Sequence, residues 1–179
     1  MYRAVHRDRE IRLVRRYLLV AALIYLIWWF AVEALLPGSF NPFAGRLAVS
    51  ASIALFWAAS FISPAVRARL EYFLLAGLWL ITVHYYYLFY GNHGDINWVV
   101  GSYITVIAIT FCFDTSLSLL IYSVFTVLLS VFLVYEIPPL ANSVFLPGLL
   151  TMLAQANFGL RSRLQMIQVV LDHFLGGVV

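Results

Sequence analysis

Apolar residues run along this chain in six blocks of membrane-spanning length, parted by short breaks of proline, glycine and polar residues. A helix crosses a bilayer with about 20 predominantly apolar residues. The first block, Tyr17 to Leu36, is closed by Pro37-Gly38, and Asn41-Pro42 continues the loop. Proline and glycine together mark such breaks because neither continues a helix well. The second, Leu47 to Ser63, ends at Ser63-Pro64. It carries Ala48, Ala51, Ser52, Ala58 and Ala59, small residues that let helix backbones approach closely. The third runs from Leu70 to Tyr90, and Gly91-Asn92-His93-Gly94-Asp95 after it has the composition of a turn. The fourth covers Ile96 to Phe113. Asp114-Thr115-Ser116 follows and should supply the N-cap of the fifth, which reaches Tyr135. Glu136-Ile137-Pro138-Pro139 is a stiff break before the sixth, Asn142 to Leu160, with Pro147 in its first turns.

Two flanks differ from these blocks. Residues 1–16 are basic, with six arginines, and read as a short interfacial helix. After Arg161 and Arg163, the residues Leu164, Ile167, Leu171, Phe174 and Val178 recur at steps of 3, 4, 3 and 4. That is the seam of a parallel coiled coil, or the start of a two-helix output hairpin. One chain cannot bury such a seam, so a homodimer joined through residues 161–179 is expected. The organisation read from the pattern is a basic segment (1–16), a six-helix membrane domain (17–160) and a C-terminal signalling helix (161–179).

Composition strengthens this reading. Of 179 residues, 64% are hydrophobic and 11% are charged, with a mean hydropathy of +0.94. Soluble domains carry about 25% charged residues. The fold class expected is therefore all-α and polytopic. Eleven arginines and no lysine set the net charge of +3. They flank the apolar blocks, so topology explains them and nucleic-acid binding does not. With the N-terminus in the cytoplasm, ten arginines fall inside and only Arg46 falls outside. That asymmetry predicts a multi-pass protein of a cell inner membrane with both termini cytoplasmic. Cys112 is alone, which removes an intrachain disulfide or thiolate metal site. No cleavable signal peptide is expected, since the first apolar block is long enough to span and no cleavage site follows it.

Motifs for catalysis and for metal or cofactor binding are absent. Glu33, Glu71, Asp95, Asp114, Glu136 and Asp172 fall near predicted membrane surfaces or outside them. His84 is the one ionisable group placed where an intramembrane site would need it. Around it lies an aromatic-rich region: Trp28, Trp29, Tyr85, Tyr86, Tyr87, Tyr90, Trp98 and Tyr103. An interfacial aromatic belt accounts for many of these. Tyr85 to Tyr87 are consecutive, however, so at least one should face the bundle. The functional alternative is a pocket for a small amphiphilic ligand, with Trp98, His84, Asn97, Ser102 and Tyr103 as candidate lining residues. A satisfied His–Tyr pair between helices is the competing account of His84.

Several short stretches resemble one family. Tyr72-Phe73-Leu74, Trp98-Val99, Asp114-Thr115, Ser123-Val124 and Asn157-Phe158 are similar to the membrane sensor domain of quorum-sensing hybrid histidine kinases. Those are six-helix receptors for α-hydroxyketone autoinducers. Phe174-Leu175-Gly176-Gly177-Val178-Val179 looks like the run-in to a phosphoacceptor box, which the resemblance places just beyond Val179. The resemblance implies a two-component receptor with a fused cytoplasmic kinase and a pocket tryptophan at Trp98. Related six-span domains precede class III nucleotide cyclases, and a self-contained carrier or membrane enzyme is the reading from another class. The family's pocket serine has no counterpart, because Gly101 stands there with Ser102 next. Its pocket cysteine is missing too, with Ala154 and Ala156 nearby.

Overall fold

The computed structural model describes residues 2–113, 115–138, 140 and 145–159. Among them the chain is all-helical, with seven helices and no strand. These are α1 (Tyr2–Leu35), α2 (Phe43–Ile62), α3 (Pro64–Ala68), α4 (Leu70–Gly91), α5 (Ile96–Thr110), α6 (Ser116–Glu136) and α7 (residues 145–159). Four of them hold segments long and apolar enough to cross a membrane: Glu10–Leu35, Phe43–Ile62, Leu70–Gly91 and Leu117–Glu136. α5 has 15 residues, about 22 Å at 1.5 Å per residue, against a hydrocarbon core about 30 Å thick.

The breaks fall where the polar dipeptides put them. Ser63 caps α3, its side chain accepting from the Val66 N–H, with Pro64 at the first helical position. Proline suits that position because its missing N–H would have no helical partner there. Asp95 caps α5 by accepting from the Asn97 N–H, and Thr115 caps α6 by accepting from the Ser118 N–H. In the turn before α5, His93 and Gly94 both take positive φ, at 53° and 71°.

Three expectations are corrected. The basic N-terminal segment is no separate helix, since α1 runs unbroken from Tyr2 to Leu35. Nothing between residues 2 and 35 is a proline or glycine, and Arg, Glu and Leu are good helix formers. α5 stops at Thr110, short of Phe113, as its end tightens into i→i−3 bonds from Cys112 to Ile109 (2.9 Å) and Phe113 to Thr110 (3.5 Å). Two of the small residues of α2 lie off its packing face, while Ala58 and Ala59 are half-buried. Ala48 and Ala51 are exposed, while Arg46, Val49, Ser50, Ile53 and Ser60 are buried. Close approach to α4 occurs at glycines instead: a Cβ on Gly77 would stand 3.3 Å from Ile53.

The chain divides into two compact units, Met1–Asn92 and His93–Val179. In the first, α1 presents Val14, Leu18, Ala22, Tyr25 and Val32 along one stripe. It packs on α2 and α4, where Val49, Ile53, Leu74, Leu78, Ile81 and Tyr85 are buried. Its opposite face leaves Ile24, Ile27 and Phe30 exposed, as lipid-facing residues would be. At one end of this unit Arg15 donates to Ser60, from Nε to the hydroxyl (2.9 Å) and from a terminal nitrogen to the carbonyl (2.6 Å). Arg67 donates to the carbonyls of Ser60 (3.3 Å) and Phe61 (3.1 Å). These carbonyls belong to the last turn of α2, which lacks helical donors and carries the negative end of the helix dipole.

In the second unit, α5 buries Trp98, Val99, Ser102, Val106 and Ile109 on one face. α6 buries Leu119, Tyr122 and Leu133 together with a polar stripe of Ser123, Thr126 and Ser130. α7 contributes Phe145, Leu149 and Leu153.

Candidate functional site

α2 begins four residues before the apolar block that foretold it, so Arg46 lies inside its first turns. A Cβ there tilts toward the helix N-terminus. The Arg46 side chain follows that direction, and its Nε donates to Asn41 Oδ1 at 2.7 Å. Asn41 is the residue before Pro42, which occupies the N-cap position. Asn41 is tied to α1 in turn: the Trp29 indole donates to its carbonyl (2.8 Å), and its amide donates to the Trp29 carbonyl (3.4 Å). The guanidinium lies 5.1 Å from the centre of the Tyr25 ring, within cation–π range.

Arg46 is fully buried, at 0% exposure. Among the described residues, both of its terminal nitrogens lack a hydrogen-bond partner. Its electrostatic neighbours are the phenols of Tyr25 and Tyr85, and no described carboxylate is among them. Beside it, His84 shares a 2.7 Å hydrogen bond between Nδ1 and the Tyr25 hydroxyl, while its Nε2 has no partner. The His84 ring lies against Gly45, so close that a Cβ on Gly45 would collide with Nε2. A side chain on Gly45 would have to push the His84 ring aside.

The rim is aromatic. Trp29 meets Phe43 edge-on at 4.9 Å, and Phe40 meets Tyr87 at 5.5 Å. Asn92, the C-cap of α4, clasps the incoming loop: Phe40 N–H donates to its Oδ1 and its amide donates to the Phe40 carbonyl, both at 2.8 Å. Tyr85 and Tyr86 are each 4% exposed and Tyr87 is 52% exposed. The run of three tyrosines thus splits between core and surface, as consecutive helical positions must.

Set against known protein families, curated proteins and solved structures, the chain matches none. The reading of the site therefore rests on its own geometry.

Of the five candidate ligand residues, His84 belongs to the first unit and Trp98, Asn97, Ser102 and Tyr103 belong to the second. Trp98 is buried. The polar groups of the other three have internal partners. Asn97 donates to Asp95, Ser102 to the Val99 carbonyl of its own helix, and Tyr103 to the Phe145 carbonyl (3.0 Å). Tyr103 also stacks on Phe145, with ring centres 6.3 Å apart. The seam residues Leu164, Ile167, Leu171, Phe174 and Val178 lie outside the described residues, as do Arg161 and Arg163.

The second unit holds a cavity of about 320 Å³ between the C-terminal halves of α5 and α7, lined by Val106, Thr110, Phe111, Met152 and Gln155 among others. In the same unit, Asn157 donates to Ser123 Oγ (2.9 Å) and to the Leu153 carbonyl (2.8 Å). Ser123 and Asn157 come from two of the stretches that carried the family resemblance, and they join α6 to α7. Polar pairs between membrane helices couple by about 0.6 kcal/mol on average and up to about 1.7. A double-mutant cycle over Ser123→Ala and Asn157→Leu should return a coupling in that range by denaturation in mixed micelles. Strict additivity would mean that the bond contributes nothing.

Sequence reasoning missed Arg46, which it counted as a loop residue. The available signal was its isolation, as the one arginine that the sequence-based topology puts outside.

Proposed function

We propose that this chain is the membrane sensor domain of a two-component histidine kinase, responding to a small amphiphilic ligand. One observation carries the reading: Arg46 is buried among aromatic rings with two unpaired nitrogens. An ionisable group inside a membrane bundle is costly and marks a functional site by default. Aromatic walls around a polar pair, Arg46 and His84, suit an amphiphile whose tail is buried and whose head is hydrogen-bonded. The ligand site is accordingly assigned to the first unit. A buried hydroxyl or amide that already has a partner adds little to recognition, which is the position of Asn97, Ser102 and Tyr103.

The full topology has six spans with both termini in the cytoplasm of an inner membrane. Its support is the arginine asymmetry, together with Arg15 and Arg67 meeting at one end of α2 while Arg46 lies at the other. α5 and α7 are then the fourth and sixth spans. Residues 161–179 pair two copies and pass the signal to a fused kinase. Cyclase output keeps the same receptor. Ligand can drive the change only by as much as it prefers one state.

Reporter fusions after Gly38, Gly94 and Val179 should read periplasmic, periplasmic and cytoplasmic. A cytoplasmic reading at Gly94 refutes six spans. The function is tested in membranes carrying the uninterrupted gene product: autophosphorylation should change when an organic extract of the cells' own medium is added. If the reading frame encodes no phosphoacceptor box or cyclase domain past codon 179, the sensor reading fails. A second reading, an anion carrier, is favoured by the same unpaired guanidinium, and solute flux in proteoliposomes would reveal it.

A further inference from the structure

We infer that Arg46 and the first turn of α2 form a head-group site for an oxyanion, a carboxylate borne on a short aliphatic chain. The inference rests on the sensor reading and names the chemical class of its ligand.

Three independent features meet at this place. The first is the guanidinium itself, fully buried, with Nε taken by Asn41 and both terminal nitrogens open. A planar fork with its donors free matches the two oxygens of a carboxylate. The second is the helix end. No side chain caps α2, and the N-terminal N–H groups of a helix, with the positive end of its dipole, attract anions. A cation beside that end is on the unfavourable side of the dipole. An oxyanion between the two satisfies both. The third is His84 Nε2, also unpaired, pressed against Gly45 of the same helix turn. As a donor it would add a hydrogen bond to the same head group.

The surroundings select against other heads. No described carboxylate acts on Arg46, so among the described residues nothing neutralises its positive charge. A cationic head would be repelled. A neutral hydroxyl offers one oxygen to a fork built for two and leaves the charge unpaired. Phe40 and Tyr87, at the exposed rim, give the aliphatic chain apolar surface to lie on.

The experiment uses the full chain in phosphatidylcholine nanodiscs and radiolabelled decanoate, with binding to empty discs subtracted. Saturable binding is expected, displaced by unlabelled decanoate and not by decanol. Arg46→Met should weaken it about 10- to 100-fold, the loss of one or two charge-assisted hydrogen bonds. Arg46→Lys should recover part of it, because a point charge replaces the fork. Discs with added phosphatidylglycerol separate two sources of the same chemistry: unchanged decanoate binding supports a free carboxylate, and its loss supplants that with a lipid head group. Equal displacement by decanol overturns the oxyanion and leaves the sensor reading intact. Decanoate binding unaltered in Arg46→Met overturns the placement. No saturable decanoate binding, with a kinase response to a neutral amphiphile, overturns the inference alone; absence of both overturns the sensor reading as well. The decanoate–decanol contrast in the unmodified chain decides the question even if a variant fails to fold.

Discussion

Arg46→Met should make the ligand-free chain more stable, by about 1–4 kcal/mol, the range seen when buried charges give way to apolar residues of similar volume. The guanidinium is at 0% exposure with two nitrogens unpaired. Its desolvation is therefore offset only by the Asn41 hydrogen bond and the Tyr25 ring. Methionine keeps an unbranched apolar stem that fills irregular space. The substitution also leaves Asn41 Oδ1 without its donor, which costs about 1–3 kcal/mol. Desolvation of an unpaired ion costs several kcal/mol, so the relief wins. The measurement is the thermal midpoint in nanodiscs free of added amphiphile. A lower midpoint would mean that the charge has a compensating partner and is structural. A higher one, with loss of ligand response, is the mark of a residue kept for function at the expense of stability.

Arg15→Leu should do the opposite and lower stability by roughly 2–3 kcal/mol, less than the full worth of two charge-assisted hydrogen bonds because Arg15 is only half-buried. Arg15 holds both the hydroxyl and the carbonyl of Ser60 and stacks 3.9 Å over the Phe61 ring. Its loss unties α1 from the last turn of α2. The effect is bounded because Arg67 still reaches the Ser60 and Phe61 carbonyls. Arg67→Leu alone should cost less, its bond to Ser60 being longer. The double variant should cost more than the sum, since the last carbonyls of α2 then have neither donor. Denaturation in mixed micelles measures all three. Wild-type stability in Arg15→Leu would show the contact to be incidental.

The helices were legible in the sequence because lipid as solvent leaves few options. Each apolar run must satisfy its own backbone, and only a helix does so within one segment. Thr115 supplies the cap expected from Asp114-Thr115-Ser116, while Ser63 and Asp95, read only as a break and a turn, prove to be caps as well. That at least one of Tyr85 to Tyr87 faces the core followed from three consecutive helical positions, and two of them do. What hydropathy could not convey is where a helix starts within a polar margin. Starting α2 at Leu47 leaves Arg46 in a loop, and starting it at Phe43 turns that same residue into the core. A His–Tyr pair between helices was one of the two accounts of His84, and the structure shows one, but which tyrosine it uses was hidden. Tyr25 lies in another apolar run, and no local period links the two. Ala48 and Ala51 misled because small residues permit close packing without requiring it.

The order of synthesis gives the Arg46 cluster a history. Trp29 and Asn41 emerge before Arg46, so part of its support is made first. Its cover, His84 and Tyr85, comes later. At about 5–20 residues per second the intervening chain takes roughly 2–8 s to make. During that interval an arginine stands at the end of α2 with no α4 beside it. At a membrane it would remain at the wet interface, drawn by its own hydration. In a bilayer the α1–α2 hairpin would then settle to its final depth once α4 arrives. The ribosome's pace between these codons then becomes a variable in assembly: slow translation there would prolong the interval in which α2 sits shallow and its apolar flank is open to quality-control proteases.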